Sequence, residues 1–300
     1  MDRSVSAPPV ASFPNLRAGL ELLKPITWFA PMWAYGCGIV SSGVSIQGHV
    51  WTLVAGVLLC GPLVCGTSQA VNDWFDRHVD AINEPNRPIP SGRIPGTWGL
   101  IIANIWTVLS LLLAASLGIW VLMATIVGLA IAWAYSAPPL RLKVNGWLGN
   151  AAVGLCYEGL PWFTAAAAML AVRPNVETML LALLYSVGAH GIMTLNDFKA
   201  VEGDRQMGIG SLPVRLGEAT AAKLACAVMA IPQGVVIGML LQWNRPIYAG
   251  IVAASLLLQL VCMQRLLKDP KKYAPWYNAT GVTLYVLGML ASAIAIRGGL

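Results

Sequence analysis

Long apolar runs are the feature that most constrains the fold of this chain. Stretches of about twenty residues with little charge recur from one end of the sequence to the other. That length suits α-helices that cross the hydrocarbon core of a bilayer and pair their backbone polar groups internally. The pattern predicts an all-α integral membrane protein with about nine transmembrane helices. The predicted spans lie near residues 25–44, 51–72, 97–117, 119–137, 147–169, 178–196, 219–241, 246–267 and 276–297.

The composition excludes an ordinary soluble globule. Hydrophobic residues make up 57% of the sequence and charged residues only 11%. A soluble globular protein has about twice that share of charged residues. Residues 1–24 precede the first apolar run and are expected to form a cytoplasmic tail, and residues 25–300 a single membrane domain. All six cysteines lie in apolar runs without metal-binding spacing, so we interpret them as small buried hydrophobic residues.

Basic residues are distributed unequally between the two sides of the predicted bundle. If the amino terminus is cytoplasmic, all but three of the 19 lysines and arginines lie on that side. The exceptions are Arg173, Arg245 and Arg297. Cytoplasmic loops of membrane proteins carry such an excess of positive charge. The net charge of +6 is therefore mainly a topology signal, and the sequence contains no basic domain outside the membrane that would indicate a nucleic-acid partner.

An acidic stretch follows the second predicted span. In NDWFDRHVDAINEPNRPIPS, residues 72–91, the carboxylates of Asp73, Asp76 and Asp80 would lie within roughly 60° of arc on one helix face. Carboxylate oxygen ligands suit Mg²⁺, which commonly bridges carboxylates to a substrate phosphate. Each lipid-facing aspartate would cost roughly 2.5 to 3.5 kcal/mol. These side chains are therefore expected to line a hydrated or metal-filled pocket near the cytoplasmic interface.

A second acidic stretch follows the sixth predicted span. It reads NDFKAVEGDRQMGIGSLPV, residues 196–214, and Asp197 and Asp204 repeat the seven-residue offset between Asp73 and Asp80. Because four helices separate the two stretches, both are expected on the same side of the membrane. Two facing carboxylate sets predict two metal-bearing walls around one diphosphate. The alternative is that each stretch is a solvated turn that ends a membrane helix.

Basic side chains near these stretches are candidates for binding the diphosphate. Arg87 lies in a proline-rich loop after the first stretch, and its planar guanidinium suits bidentate phosphate contacts. Tyr135, Arg141 and Lys143 surround a Pro-Pro break after the fourth predicted span. Cytoplasmic loops carry an excess of lysine and arginine, so the same basic residues are also expected from topology alone. Phosphate binding and membrane topology both stay open as interpretations.

Two further candidate residues lie inside predicted spans. Glu158 falls near the middle of the fifth span, and an ionisable group at membrane depth is a candidate functional residue. His190 lies seven residues before Asp197, on nearly the same helix face and about 10 Å deeper. Both are candidates for contact with the acceptor substrate, His190 even as an axial ligand to the central metal of a pigment. The alternatives are a protonated, hydrogen-bonded carboxyl and a satisfied buried histidine.

Together, three motifs resemble those of the UbiA superfamily of intramembrane prenyltransferases, most closely its chlorophyll and bacteriochlorophyll synthase branch. The resemblance covers nearly the whole chain. It is carried by residues 72–88, by YSAPPLRLKVNGW at 135–147 and by residues 196–213. The first motif is specific to the superfamily, and the other two are more particular to the pigment branch. Many members have a closer pair of aspartates in the last motif; here Ala200 takes the intermediate place, which leaves open what completes a second metal site.

The resemblance implies a fold and a set of site residues. The helices would enclose a central cavity that binds Mg²⁺ and a prenyl diphosphate. The metal ligands would be Asn72, Asp73, Asp76, Asp80, Asp197 and Asp204. The diphosphate would contact Arg77, Arg87, Tyr135, Arg141, Lys143 and Arg205. The catalytic residues among these would be Asp76, Asp80, Asp197, Asp204 and Lys143.

The implied reaction is Mg²⁺-dependent transfer of a geranylgeranyl or phytyl group from its diphosphate to the 17-propionate of bacteriochlorophyllide, with release of pyrophosphate. Chlorophyllide is an alternative acceptor, and the aromatic ring used by quinone-type prenyltransferases is another. A transporter of an anionic lipid or ion is a distant alternative. Transporters place charge at the membrane midplane, whereas these aspartates cluster at one leaflet. The expected location is a bacterial inner or intracytoplasmic photosynthetic membrane, among lipid and other membrane proteins of the pigment pathway.

Overall fold

The computed structural model describes residues 13–297, which are mainly helical and contain no β-strand. The α-helices are α1 (Leu16–Leu23), α2 (Phe29–Ser42), α3 (Val50–Leu58), α4 (Gly66–Asn83), α5 (Trp98–Leu117), α6 (Ile119–Ser136), α7 (Gly146–Gly154), α8 (Leu160–Leu170), α9 (Val176–Asp197), α10 (Val201–Gln206), α11 (Leu212–Leu216), α12 (Glu218–Gln242), α13 (Pro246–Leu266) and α14 (Pro270–Ala295). Two π-helical turns, Leu59–Cys65 and Leu155–Gly159, join α3 to α4 and α7 to α8 without a break.

Seven of the described helices are long and apolar enough to cross a membrane. They are Val50–Asn83, Trp98–Leu117, Ile119–Ser136, Val176–Asp197, Glu218–Gln242, Pro246–Leu266 and Pro270–Ala295. The first predicted span corresponds to α2, which has only 14 residues, and the fifth to the helix from α7 to α8 that a π-helical turn interrupts. The all-α membrane class is thus confirmed, while the count of nine spans stays a prediction.

The helix Val50–Asn83 positions the first acidic stretch. It has 34 residues and is about 50 Å long at 1.5 Å per residue, well beyond the roughly 30 Å of a hydrocarbon core. The predicted span ends at residue 72, but the helix continues through all three aspartates. Its extra length carries the acidic face toward the membrane surface, so one helix joins the apolar span to the site.

Part of the expected amino-terminal tail is a folded helix. The amphipathic α1 buries Leu22 in one apolar cluster with Val71 of α4. Asn15 caps α1 by accepting a hydrogen bond from a first-turn backbone amide at 2.7 Å. The expected tail over residues 1–24 thus includes a folded helix at residues 16–23, its cytoplasmic location stays a prediction, and residues 1–12 lie outside the described part of the chain.

The main apolar core lies among α9, α12, α13 and α14. Two of its buried tyrosines are hydrogen-bonded: the Tyr285 hydroxyl donates to the Tyr185 carbonyl oxygen at 2.6 Å, and the Tyr185 hydroxyl lies 2.8 Å from that of Ser292. Satisfied polar groups of this kind fix the register of packed helices. The core therefore holds α9, whose end carries the second acidic stretch, against the carboxy-terminal helices.

A reciprocal amide pair joins α12 to α13 inside this core. Gln233 and Gln259 are fully buried, and each amide donates to the oxygen of the other, at 3.0 and 2.9 Å. Replacing Gln259 with leucine leaves polar atoms of Gln233 unsatisfied, at a cost of about 1–2 kcal/mol. We therefore expect Gln259→Leu to lower the thermal unfolding midpoint in detergent. Gln264→Leu, at an exposed position of α13, is the control, and equal midpoints for the two variants would contradict this expectation.

Candidate functional site

A cavity of about 480 Å³ lies among α2, α4, α6, α7 and α9; we call it the main cavity. Its polar end brings together residues from both acidic stretches and from the Pro-Pro segment. Asn72 comes from the first stretch, Tyr135 from the Pro-Pro segment, and Asn196 and Asp197 from the second stretch. Motifs that are far apart in sequence therefore line one site.

The first acidic stretch is divided between two sets of partners. None of its three aspartates lines the main cavity, but Asp76 contacts Asn72, which does. The Asn72 amide donates a hydrogen bond to Asp76 at 3.0 Å and another to Ser136 at 3.1 Å. The Lys143 ammonium forms an ion pair with the other carboxylate oxygen of Asp76 at 2.5 Å. Asn72, Asp76 and Lys143 thus form one polar group beside the main cavity.

Asp73 and Asp80 pair with basic side chains and do not line the main cavity. Asp73 is 1% exposed and pairs with Lys24 at 2.6 Å and with Arg87 at 3.5 Å. Arg87 also pairs with Asp80 at 2.8 Å. The predicted phosphate ligand Arg87 is therefore engaged with two carboxylates in this structure, and its contact with diphosphate stays a prediction.

Lys143 combines burial with a position beside the main cavity. Its side chain is only 10% exposed. Burial lowers the pKa of the Lys143 ammonium, and the hydrogen bond to Asp76 opposes that shift. A partly desolvated ammonium beside a carboxylate is well suited to exchange that partner for a phosphate oxygen, because both offer the same anionic acceptor.

A backbone bridge ties the loop that carries Lys143 to the second acidic stretch. The Gly146 N–H donates to the Gly210 carbonyl oxygen, and the Gly210 N–H donates to the Val144 carbonyl oxygen, both at 2.9 Å. A Cβ at Gly146 would lie 2.6 Å from the Leu212 nitrogen, so this close approach requires glycine. The bridge keeps the Pro-Pro segment and the second acidic stretch together on one side of the site.

The second acidic stretch is also divided. Asp197 lines the main cavity, whereas Asp204 is buried on α10 outside the cavity lining. Burial raises the pKa of the Asp204 carboxyl. Asn196 lines the main cavity and accepts a hydrogen bond from the Asn278 amide of α14 at 3.3 Å. Asp197 is therefore the carboxylate of this stretch that the structure places at the cavity.

Asn150 is a site residue that the sequence analysis missed. It lies on α7, lines the main cavity and donates hydrogen bonds to Asp197 at 3.3 Å and to Thr194 at 3.2 Å. This bridge holds the Asp197 carboxylate in place across the α7–α9 contact. The available signal was a polar amide inside a predominantly apolar run.

Three other predicted phosphate ligands do not line the main cavity. The Arg77 guanidinium stacks on the Trp74 ring at 4.2 Å, and Arg205 pairs with an acidic neighbour on its own helix at 3.6 Å. Arg141 is exposed on the loop that carries Lys143. Their contacts with diphosphate stay predictions, whereas Tyr135 lines the cavity itself.

The two candidate acceptor contacts also lie outside the lining of the main cavity. Glu158 is 4% exposed in the second π-helical turn, and its Oε2 atom has no hydrogen-bond partner. The His190 ring packs against Trp147, with 5.8 Å between ring centroids. These positions make Glu158 a buried polar group and His190 part of the α7–α9 contact, and a role of either toward the acceptor stays a prediction.

The donor atoms at the main cavity, together with those of the adjacent Asp76, suit a divalent cation. Asn72, Asp76 and Asp197 offer amide and carboxylate oxygens, the ligands that Mg²⁺ prefers. Within residues 13–297, no three His, Cys, Asp or Glu side chains lie close enough to hold an ion by themselves. Lysine and arginine side chains instead neutralise the first acidic stretch. The residues therefore fit a metal that is held jointly with the oxygens of a bound ligand, and do not form a complete protein cage.

Fold and site together are those of a membrane prenyltransferase. The chain matches the UbiA prenyltransferase family over residues 25–294. Its fold is shared with a solved UbiA homologue from Archaeoglobus fulgidus bound to GPP and Mg²⁺, at a TM-score of 0.73 and 20% identity, over 93% of this chain and 99% of that one. The chain belongs to the UbiA prenyltransferase family and is a prenyltransferase enzyme.

Two relatives place the similarity more narrowly. The bacteriochlorophyll synthase 33 kDa chain of Cereibacter sphaeroides is 61% identical over 288 residues, which cover 96% of this chain and 95% of the relative. The bacteriochlorophyll synthase 33 kDa chain of Rhodobacter capsulatus is 55% identical over 295 residues, 97% of each chain. The resemblance to the pigment branch, inferred from three motifs, is confirmed.

Proposed function

We propose that this chain transfers a geranylgeranyl or phytyl group from its diphosphate to the 17-propionate of bacteriochlorophyllide, in a reaction that requires Mg²⁺. The relatives that support this acceptor are bacteriochlorophyll synthases by name and match almost the whole chain at 61% and 55% identity. The observation that carries the proposal is the main cavity, which unites both acidic stretches at a polar end and continues into an apolar end.

The two ends of the main cavity suit the two parts of a prenyl diphosphate. Amide, hydroxyl and carboxylate groups gather around Asn72, Tyr135 and Asp197, whereas the other end is lined by residues such as Val64 and Ala132. Apolar burial of the isoprenoid chain is favourable at roughly 25 cal/mol per Å². The donor would therefore bind with its diphosphate at the polar end and its chain in the apolar end.

Residues at the polar end would stabilise the leaving group. Lys143 would bind a diphosphate oxygen beside Asp76, and the Tyr135 hydroxyl would donate to another. Asn72, Asp76 and Asp197 would hold Mg²⁺ together with the diphosphate, and the metal would neutralise the charge that develops as the allylic C1–O bond breaks. The Asn150 amide, which donates a hydrogen bond to Asp197, would keep that carboxylate oriented for metal binding.

The acceptor requires no strong general base. A propionate carboxyl is already ionised at neutral pH, so it can attack C1 directly and form the ester as pyrophosphate leaves. The apolar walls of the main cavity would exclude water, which would otherwise compete for the allylic carbon. This differs from aromatic prenylation, in which a ring carbon attacks and a proton must then be removed.

We also propose an orientation in which the polar end of the site faces the cytoplasm of a bacterial inner or intracytoplasmic membrane. The basis is the excess of lysine and arginine on the side of the acidic stretches. Labelling of a single cysteine placed at the exposed Lys199 position by a membrane-impermeant reagent, in inverted and in right-side-out vesicles, would test this orientation. Labelling only in right-side-out vesicles would contradict it.

The proposed reaction is tested by pigment esterification with purified protein in detergent. We expect geranylgeranyl diphosphate and bacteriochlorophyllide a to give an esterified pigment, detected by chromatography, in the presence of Mg²⁺ and not after chelation by EDTA. Added Mg²⁺ should restore the product after chelation. Product formation that is unchanged in EDTA would contradict the metal requirement.

Parallel acceptors and donors define the substrate. Esterification of chlorophyllide but not of bacteriochlorophyllide would transfer the proposal to that acceptor. Prenylation of an aromatic acid without esterification of either tetrapyrrole would contradict the proposed acceptor class. Comparison of geranylgeranyl and phytyl diphosphate under the same conditions identifies the preferred donor.

A further inference from the structure

Two polar side chains on one wall of the main cavity have no part in the proposed diphosphate site. Gln69 of α4 and Tyr157 of the π-helical turn Leu155–Gly159 both line the cavity; we call them the Gln69–Tyr157 pair. The Gln69 amide donates to the Tyr157 hydroxyl oxygen at 3.4 Å, longer than the usual distance of about 2.9–3.0 Å. Polar groups that face a cavity and satisfy each other only weakly are suited to bind a polar ligand.

Other polar residues of the cavity wall already donate to protein groups. The Asn72 amide donates two hydrogen bonds to side chains of the site, and the Asn150 amide donates two others. The Thr27 hydroxyl donates to a backbone carbonyl oxygen at 2.8 Å. Gln69, by contrast, has a second amide N–H, and Tyr157 accepts their mutual bond and so has its own proton to donate. The Gln69–Tyr157 pair therefore retains donors for a ligand.

The walls of the main cavity offer an anion only neutral donors. Within residues 13–297, the lining includes the carboxylate of Asp197 but no lysine or arginine. A carboxylate that enters the cavity therefore meets amide N–H and hydroxyl groups. Such donors suit an attacking carboxylate, because a direct ion pair with a protein cation would bind the charge more strongly and make it a weaker nucleophile.

The pair lies about one helical turn from the proposed diphosphate site. Gln69 precedes Asn72 by three residues on α4, a rise of about 4.5 Å at 1.5 Å per residue. In a displacement at C1, the attacking oxygen begins about 3–3.5 Å from that carbon, and the C1–O bond adds about 1.5 Å. The attacking and leaving oxygens are then about 5 Å apart. A carboxylate held by the pair would meet this spacing.

The cavity borders the outside of the helix bundle close to the pair. Ile26 and Phe29 line the main cavity, yet they are 89% and 58% exposed. Thr27 lies between them in sequence and contacts the Cys65 thiol at 3.3 Å, which in turn lies 3.7 Å from the Tyr157 hydroxyl. Contacts thus lead from the exposed edge of the cavity to the pair. A wide ring system would stay at this edge while its short acid arm reaches the pair.

We propose that Gln69 and Tyr157 bind the carboxylate of the acceptor and hold it for attack on C1 of the prenyl donor. The inference rests on the proposed function, because it concerns the acceptor of that reaction. Two donor atoms 3.4 Å apart can both donate to one carboxylate, whose oxygens have further lone pairs. One of these forms the bond to C1 as the C1–O bond breaks and its electron pair leaves with pyrophosphate. The pair thereby selects acceptors with a free acid arm.

The test compares the binding of bacteriochlorophyllide a with that of its 17-propionate methyl ester, by fluorescence titration without a prenyl donor. The wild-type protein is expected to bind the free acid at least about tenfold more tightly, because the ester leaves polar groups of the site unpaired. In the double variant Gln69→Leu/Tyr157→Phe, this preference should fall below about twofold. Gln264→Leu and Tyr248→Phe make the same changes outside the lining of the main cavity and are the matched controls.

Steady-state kinetics separate the acceptor from the prenyl donor. Each single variant is expected to raise KM for bacteriochlorophyllide by about three- to tenfold, the range for loss of one hydrogen bond. KM for geranylgeranyl diphosphate should change by less than about twofold, because the pair does not contact the diphosphate. An equal rise in both KM values would indicate general damage to the cavity and overturn the inference.

The outcomes separate the two proposals. A folded double variant that keeps the wild-type preference for the free acid would overturn the inference, as would a wild-type protein that binds acid and ester equally. If the double variant does not fold, Tyr157→Phe, which removes a single oxygen atom, is measured alone, and an unchanged preference there would equally overturn the inference. A wild-type protein that prefers the free acid but esterifies no tetrapyrrole would overturn the proposed function instead.

Discussion

Replacing Asp76 with asparagine is expected to lower kcat for prenyl transfer by about 10²–10³-fold, the range for loss of one preorganised electrostatic contact. The change removes the charge that faces Lys143 at 2.5 Å and alters the group that accepts from Asn72 at 3.0 Å. Asparagine has nearly the size of aspartate, so the helix and its packing should persist. Turnover at saturating donor and Mg²⁺, together with the thermal unfolding midpoint, measures both effects.

Asp73→Asn is the informative comparison. Asp73 is buried and pairs with Lys24 and Arg87, whereas Asp76 accepts a hydrogen bond from Asn72, which lines the main cavity. Replacing Asp73 leaves two partly exposed cations less well neutralised, a change that costs stability. We expect Asp73→Asn to lower the unfolding midpoint more than Asp76→Asn does, and to lower kcat less. Glu84→Gln, at an exposed position just after α4, is the control and should change neither quantity.

Two outcomes would contradict this division of labour within the first acidic stretch. One is an Asp76→Asn protein with wild-type kcat. The other is an Asp73→Asn protein that loses turnover as fully as Asp76→Asn while its unfolding midpoint stays at the wild-type value. The second result would make Asp73 part of the site when the substrates and metal are bound.

The division of the acidic stretch could not be predicted from spacing. The offsets correctly place Asp73, Asp76 and Asp80 on one face of a continuous helix. Within that face, Asp80 lies about 20° from Asp73, whereas Asp76 lies about 60° from it. Two of their partners are distant in sequence: Lys24 is 49 positions from Asp73, and Lys143 is 67 from Asp76. Only the packing of the loops determines which cation each carboxylate meets.

The fold class was predictable because a bilayer imposes a length on every helix that crosses it. The runs near 97–117, 119–137 and 246–267 are each matched by one helix of similar bounds. Apolar length does not reveal where a helix deviates from α geometry. In the fifth predicted span, the turn Leu155–Gly159 is π-helical, so a rotation of 100° per residue fails across it.

The fifth predicted span also contains a site residue that is easily overlooked. Asn150 lies before the π-helical turn and lines the main cavity, whereas Glu158 lies within the turn and is buried elsewhere. Glu158 is the more conspicuous candidate in the sequence because a charge inside a membrane span is costly. An amide in such a span carries less electrostatic cost, yet here it contacts Asp197 directly.

The second large effect is expected at Lys143. Lys143→Met keeps a long apolar stem and removes the ammonium that lies beside Asp76. If the ammonium binds the diphosphate in the ground state and in the transition state, its removal in Lys143→Met raises KM for the prenyl diphosphate and lowers kcat. We expect a combined loss in kcat/KM of about 10²-fold or more. Lys199→Met, at an exposed position in the second acidic stretch, is the control for loss of one cytoplasmic charge.

A double-variant cycle distinguishes a catalytic Lys143 from a merely structural one. If Lys143 only neutralises Asp76, the double variant Asp76→Asn/Lys143→Met should be as active as Asp76→Asn alone, because Lys143 then has no further role. If Lys143 also binds the diphosphate, the double variant should be clearly less active than Asp76→Asn, although its unfolding midpoint recovers because no unpaired charge remains. Lys143→Arg should recover part of the affinity for the prenyl diphosphate, since the positive charge is kept while the geometry of the hydrogen-bonding N–H groups changes. Wild-type kcat/KM in Lys143→Met would contradict the proposed role outright.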